Sequence, residues 1–183
     1  MNKKSFLTAS TLALAISTAT TAVYSAELEE IIVTAQKRAE SLQDVPISMS
    51  ALSGSTIKDN GIHSFQDLSG YVPNLEIAEN AVNTIITMRG IGIGSNQSFE
   101  QSVGIYVDGV HFGKSRQVRS GLFDVEQVEV LRGPQGILFG KNTLAGAINV
   151  TTASANVGDE FSGGIDVSQE SYNGQIVDAH IAG

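Results

Sequence analysis

The chain of 183 residues contains no cysteine and no tryptophan, and aromatic residues make up only 6% of it. Without cysteine there is no disulfide to staple a small fold and no thiolate to hold a metal. Histidine is scarce as well. His63, His111 and His180 stand far apart, lack the spacing of a metal site, and read as surface or turn residues. Basic residues are in deficit, with 11 Lys and Arg against 19 Asp and Glu, so a phosphate backbone would be repelled and nucleic acid is a poor partner. Catalytic signatures are missing too: there is no Gly-x-Ser-x-Gly elbow and no paired-carboxylate pattern. Gly136 and Gly140 enclose only Ile137, Leu138 and Phe139, one residue too few for a phosphate loop. Lys141 is followed by Asn142, not by a hydroxyl that could ligate magnesium. Gly90-Ile-Gly-Ile-Gly94 departs from the dinucleotide fingerprint and opens no strand–helix unit. The chain offers no enzyme chemistry, no metal site and no cofactor site, and its 19 glycines are better explained as turn chemistry.

Long apolar runs are also absent, with one near exception at the start. Lys3 and Lys4 are followed by an uncharged stretch that ends only at Glu27, and Phe6 to Val23 is apolar but rich in Ser and Thr. A membrane-spanning helix needs about 20 predominantly apolar residues, so residues 1–25 read as a cleaved export signal. Cleavage after Ser25 puts Val23 and Ser25 at the two small-residue positions, whereas cleavage after Ala26 would put bulky Tyr24 at the first of them. The signal carries two lysines and no acid, so export leaves nine basic against 19 acidic residues, a net charge of −10.

What remains is enough for one domain with a modest core. Low aromatic content and abundant glycine suit a small, turn-rich α/β domain better than a helical bundle. Glu29-Glu-Ile-Ile-Val-Thr-Ala35 opens with a short extended strand, Ile31 to Thr34. Gln36 to Asp44 has the composition of a linker. Ile47 to Leu52 alternates as a strand, Thr56 to Asn60 reads as a short helix closed by Gly61, and Ser64 with Asp67 forms an approximate capping box. Leu75 to Ala78 and Thr84 to Arg89 are two further strands. Val103 to Val107 is a strand turning at Asp108-Gly109, and His111 to Arg119 reads as a polar loop.

The most informative segment is Val128–Val150. Val128 and Val130 alternate with Glu129 and Leu131 as a strand, and Gly133-Pro134 breaks it. Ile137-Leu138-Phe139 forms one apolar helical turn between Gly136 and Gly140, and a second strand runs from Gly146 to Val150. Beyond a linker from Ala153 to Glu160, Phe161, Gly163, Ile165 and Val167 alternate with polar or small residues. Tyr172-Asn-Gly174 turns the chain, and Val177, Ala179 and Ile181 alternate again. This pattern fits either a water-soluble hairpin or the apolar-out, polar-in dyad of a membrane barrel.

Val128-Glu-Val-Leu-Arg-Gly-Pro134 and the residues after it closely resemble the end of the plug domain of TonB-dependent outer-membrane receptors. Thr87-Met-Arg-Gly-Ile-Gly92 and Ile105-Tyr-Val-Asp-Gly109 precede it in the order that family shows. Such receptors import iron chelates and other scarce nutrients into Gram-negative bacteria. After the export signal at 1–25, the resemblance implies a TonB box and linker at 26–44, an α+β plug domain with a small mixed sheet and short helices at 45–152, and a linker with the first strands of a transmembrane β-barrel at 153–183. It implies an outer-membrane location with the plug facing the periplasm. Its partners would be an iron–siderophore or similar chelate and the C-terminal domain of TonB with its inner-membrane energising complex.

Residue by residue, Glu30, Ile31, Ile32, Val33, Thr34 and Ala35 match the TonB box, a strand whose free edge would join another protein's sheet; the alternative is an ordinary edge strand. Arg89 and Arg132 match arginines that pair with barrel glutamates, a role suited to the planar guanidinium. Ser95, Asn96, Gln97, His111, Lys114 and Arg116 lie in loops that commonly face the ligand, or are solvated turns. Two strands cannot close a barrel, so the chain alone is expected not to transport. It reads as a fragment, a remnant or a separate product, and an exported plug-like module without a barrel is the competing reading.

Overall fold

The computed structural model describes residues 30–34, 36–81, 83–94, 100–119, 121–154, 161–169 and 174–182. The signal segment, Ala35, Ser95 to Gln97 and the turn at Tyr172-Asn173 lie outside them. The elements run β1 (Ile32–Val33), β2 (Glu40–Ser41), β3 (Met49–Ser53), α1 (Gly54–Asp59), β4 (Leu75–Glu79), β5 (Thr84–Met88), β6 (Val103–Val107) and β7 (Val110–His111). After these come β8 (Val125–Arg132), α2 (Gly136–Phe139), β9 (Gly146–Thr152), β10 (Ser162–Gln169) and β11 (Gln175–Ala182). Short 3-10 turns occupy Asp67–Gly70 and Gln117–Arg119. This is the expected α+β architecture, a mixed sheet with few short helices.

The centre is a five-stranded sheet in the order β3-β8-β9-β6-β7. Its β6 and β9 run parallel and the other pairs antiparallel. Turn chemistry accounts for two of its connections. Asp108 and Gly109 adopt positive φ of 48° and 78°, the hairpin geometry that Asp-Gly favours. Between β8 and β9, Gly133 at φ 102° reverses the chain before Pro134, and α2 fills the gap. Gly146 is required by packing, because a Cβ there would lie 2.3 Å from the Leu131 carbonyl.

Simple alternation predicts one buried and one solvated face for β8, but Val128, Glu129, Val130 and Leu131 are all buried. The first face carries Val128, Val130, Ile148, Val150, Val103 and Ile105 into the main core. There Ile57 of α1, Phe65, Leu68 and the β4–β5 hairpin side chains Ile77 and Ile86 cover it. The second face carries Leu131, Ala147 and Tyr106, packed under Ile47, Met49 and Phe139. Both faces are covered because the chain before β3 and the turn of α2 fold back over the sheet.

Local capping follows the side chains present. Ser53 caps α1 by accepting from Thr56 N. Gly61, at φ 62°, lets Ile62 N reach the Ile57 carbonyl at 3.0 Å and closes the helix. Ser64 N donates to Asp67 Oδ2 at 2.8 Å, and Asp67 N returns a bond to Ser64 Oγ, the reciprocal arrangement of a capping box.

Two expectations need correcting. Gln36 to Asp44 is not simply a linker, because β2 lies within it and pairs antiparallel with β1. His111 is not in a loop: it belongs to β7, and its ring stacks 5.1 Å from that of Tyr106.

Candidate functional site

The N-terminal strand and the polar half of the second sheet face form one assembly. Val33 is only 1% exposed, whereas Ile32 is 46% exposed and Glu30 stands in solvent. Leu42 N donates to the Ile31 carbonyl at 2.9 Å, continuing the β1–β2 pairing. On the opposite side of β1, Gln127 Nε2 donates to the Ile32 carbonyl at 3.1 Å, and Thr34 N donates to Glu129 Oε1 at 2.5 Å. Asn149 Nδ2 holds the other carboxylate oxygen, Oε2, at 2.9 Å. Glu129 is 1% exposed in the middle of an apolar strand. A buried carboxylate is costly unless hydrogen-bonded, and here its acceptors serve the docked segment and β9. The free edge expected of residues 30–34 is therefore occupied in this conformation.

The two arginines lie near each other at the end of β8. Arg89, at φ 52°, is exposed at the turn after β5, and its Nη1 lies beside Gly133, the residue after Arg132. Arg132 is half-buried. It donates through Nε to Ser48 Oγ at 3.1 Å, through Nη2 to the Met49 carbonyl at 3.0 Å and through Nη1 to the Pro73 carbonyl at 3.4 Å. Three of the five guanidinium donors thus serve the plug itself, and all three acceptors are neutral.

Of the candidate loop residues, Lys114 and Arg116 are exposed, with Lys114 N bonded to Gln117 Oε1 at 2.9 Å. His111 Nε2 is buried and, among the described residues, has no hydrogen-bond partner. Ser95, Asn96 and Gln97 fall outside the described residues. Nearby, Lys141 pairs with Glu100 at 3.0 Å on the open surface. The hydrogen bond from Lys141, helped by Asn142, holds the Glu100 carboxyl below its ordinary range. Among the described residues no group of His, Asp and Glu side chains could hold a metal.

Residues 41–147 match the family model described as the TonB-dependent Receptor Plug Domain. The chain belongs to this family. It is 30% identical over 151 residues to the pesticin receptor of Yersinia pestis, an alignment that covers 80% of this chain and 22% of that protein. It is 29% identical over 153 residues to the iron-regulated outer membrane virulence protein of Vibrio cholerae, covering 76% and 22%. Among solved structures, the ferric yersiniabactin uptake receptor FyuA of Yersinia pestis superposes with a TM-score of 0.63 at 32% identity, over 70% of this chain and 20% of that one. The ferripyoverdine receptor of Pseudomonas aeruginosa, at TM-score 0.68 and 18% identity, shares the fold. The chain spans about a fifth of the length of these relatives. Membership of the plug family carries with it an outer-membrane location.

Sequence reasoning missed Gln127 and Glu129 as the groups that receive β1. The signal was present. A carboxylate and an amide two positions apart on one face of a strand, interleaved with the buried Val125, Val128, Val130 and Leu131, need hydrogen-bond partners.

Proposed function

We propose that the chain is the plug region of a TonB-dependent outer-membrane receptor that actively takes up a scarce nutrient, foremost an iron–siderophore complex. The observation that carries this reading is the docked strand at residues 32–33: a short exported segment, extended, placed before the plug and tied to it by a few bonds. Such a segment suits capture by strand addition to the C-terminal domain of TonB, with the inner-membrane energising complex supplying the pull. Iron and siderophore transport are named for several relatives, which supports the ligand class. Lys114 and Arg116, both exposed, suit an anionic chelate. Arg89 and Arg132 would hold the plug to barrel carboxylates with the donors left over from Ser48, Met49 and Pro73.

The competing reading is an exported plug-like binding or signalling module without a barrel. One observation weighs against it. On the β10–β11 hairpin, Ile165, Val167, Val177 and Ile181 share one face and are 63% to 77% exposed, with Val167 directly opposite Val177. A water-soluble hairpin would bury such a row, whereas a barrel strand presents it to lipid. The test is genetic. Deleting the gene that encodes this sequence should abolish radioiron uptake from the cognate siderophore under iron limitation. Proline at Ile32, which removes a strand donor, should do the same with receptor levels unchanged. Uptake unaffected by both changes would overturn the proposal.

A further inference from the structure

In an antiparallel pair, consecutive residues point their backbone N–H and C=O groups alternately toward and away from the partner. Leu42 N donates to the Ile31 carbonyl, so Ile31 and Val33 face β2. The Ile32 carbonyl and the Thr34 N–H face the other way, along the edge where a further strand would add. That edge is filled by side chains. Gln127 supplies a donor to Ile32 and Glu129 an acceptor to Thr34. The Thr34 hydroxyl adds a longer bond to the same carboxylate oxygen at 3.4 Å. Gln127 and Glu129 are two apart on β8 and therefore share one face. The groups they reach, on Ile32 and Thr34, are also two apart.

We propose that the side chains of Gln127 and Glu129 stand in for the strand of a docking partner, capping the outer edge of residues 32–34 so that strand addition must first displace them. This rests on the reading of that segment as a TonB-docking strand, and it names what competes with the docking.

The chemistry fits a cap better than it fits packing. A leucine at 129 would fill the sheet face without burying a charge, and the carboxylate is tolerated because it is bonded. The capping groups are also suited to reversal. When β1 leaves, the amide and carboxylate become hydrated, so the bonds lost to β1 are exchanged for bonds to water at little net cost. A continuous backbone ladder in the same place would leave a row of main-chain groups to be satisfied. Asn149, bonded to Glu129 Oε2, keeps the carboxylate oriented in both situations and is a positioning residue.

The test measures binding of the TonB C-terminal domain to four samples. They are the mature chain, its Gln127→Ala/Glu129→Ala variant, its Glu129→Gln variant, and a free peptide spanning residues 28–38, which has no cap. Hydrogen exchange at the Thr34 amide and at the β8–β9 amides is followed in the same proteins. The peptide should bind more tightly than the chain, and the double variant should move toward the peptide by about tenfold as the competent population rises. Glu129→Gln, whose amide oxygen can still accept from Thr34, should stay near the parent. Thr34 should lose protection in the double variant while β8–β9 keeps it. Equal binding of peptide and parent chain would overturn the cap, as would an exposed Thr34 amide in the double variant with no gain in affinity. If the double variant loosens β8–β9, the half-buried Gln127→Ala single variant decides: a severalfold gain supports the cap and no change refutes it. If neither the peptide nor any form of the chain binds, the docking-strand reading itself has failed and the cap falls with it.

Discussion

Replacing Arg132 by alanine tests whether this arginine holds the plug together or serves only a surface beyond it. In the fold its guanidinium ties three separated points: Ser48 Oγ, the Met49 carbonyl and the Pro73 carbonyl, at 3.1, 3.0 and 3.4 Å. A hydrogen bond from a charged donor contributes about 1.5–3 kcal/mol when buried, and an exposed ionic contact about 0.2–1 kcal/mol. Arg132 is half-buried and the Pro73 contact is long, so the three bonds together are worth roughly 2 kcal/mol. For a domain of this size that corresponds to a fall in Tm of roughly 8 °C. Lysine offers one compact ammonium in place of a planar fork and should recover less than half of the loss. Thermal and urea unfolding of the mature chain, followed by circular dichroism, measure this directly. An unchanged midpoint in Arg132→Ala, with the urea slope also unchanged, would refute the reasoning. The internal bonds would then be incidental, and a role toward barrel carboxylates would be the only one left for this side chain.

Three further outcomes are expected. Mass spectrometry of the exported protein should find an N-terminus near Ala26, and an intact Met1 in the envelope fraction would contradict the export signal. Liposomes containing only these 183 residues should show no ligand flux, because two strands leave edges that lipid cannot satisfy; measurable flux would defeat this. Burial pushes the Tyr106 phenol above its ordinary value of 10.0, and its hydroxyl donates to the Phe139 carbonyl. Because the folded-state value is the higher one, this contribution to stability is complete below pH 10 and is lost as pH rises through the raised value. Ultraviolet titration of the folded chain should show a late phenol that Tyr106→Phe removes, and titration of all tyrosines together would refute it.

Much of the plug was legible because its signals are local. The Asp108-Gly109 turn, the Gly133-Pro134 break and the helical turn between Gly136 and Gly140 depend on backbone preferences that each residue carries with it, and they appear where expected. Strand β6 matches its expected bounds, Val103–Val107, and β8 extends beyond the alternating residues to Val125–Arg132. The parts that were not legible depend on distant partners. Glu40–Ser41 has no strand propensity to advertise, and becomes β2 only because β1 lies beside it. His111 looked like a loop residue after Asp108-Gly109, yet two residues of β7 suffice to turn its ring onto Tyr106. The burial of both faces of β8 could not be read from period-two alternation, which assumes one face is wet.

The second face of the sheet divides into two regions with different tolerance of water. Around Leu131, Ala147 and Tyr106 the contacts are apolar and closed by Ile47, Met49 and Phe139. Uncovering that region would forfeit about 25 cal/mol for each Å² of apolar surface. Around Gln127, Glu129 and Asn149 the lining is polar, and the segment bonded to it contains one buried apolar side chain, Val33. Returning one such side chain to water costs about 1.5–3 kcal/mol, within reach of the main-chain bonds that an added strand would supply. On the proposed reading of residues 30–34 as a docking strand, their release would leave the core beneath Met49 and Leu131 closed. The proposed cap would make such a strand firm enough to be ordered and loose enough to be taken, because the polar pair on β8 holds it by two side-chain bonds.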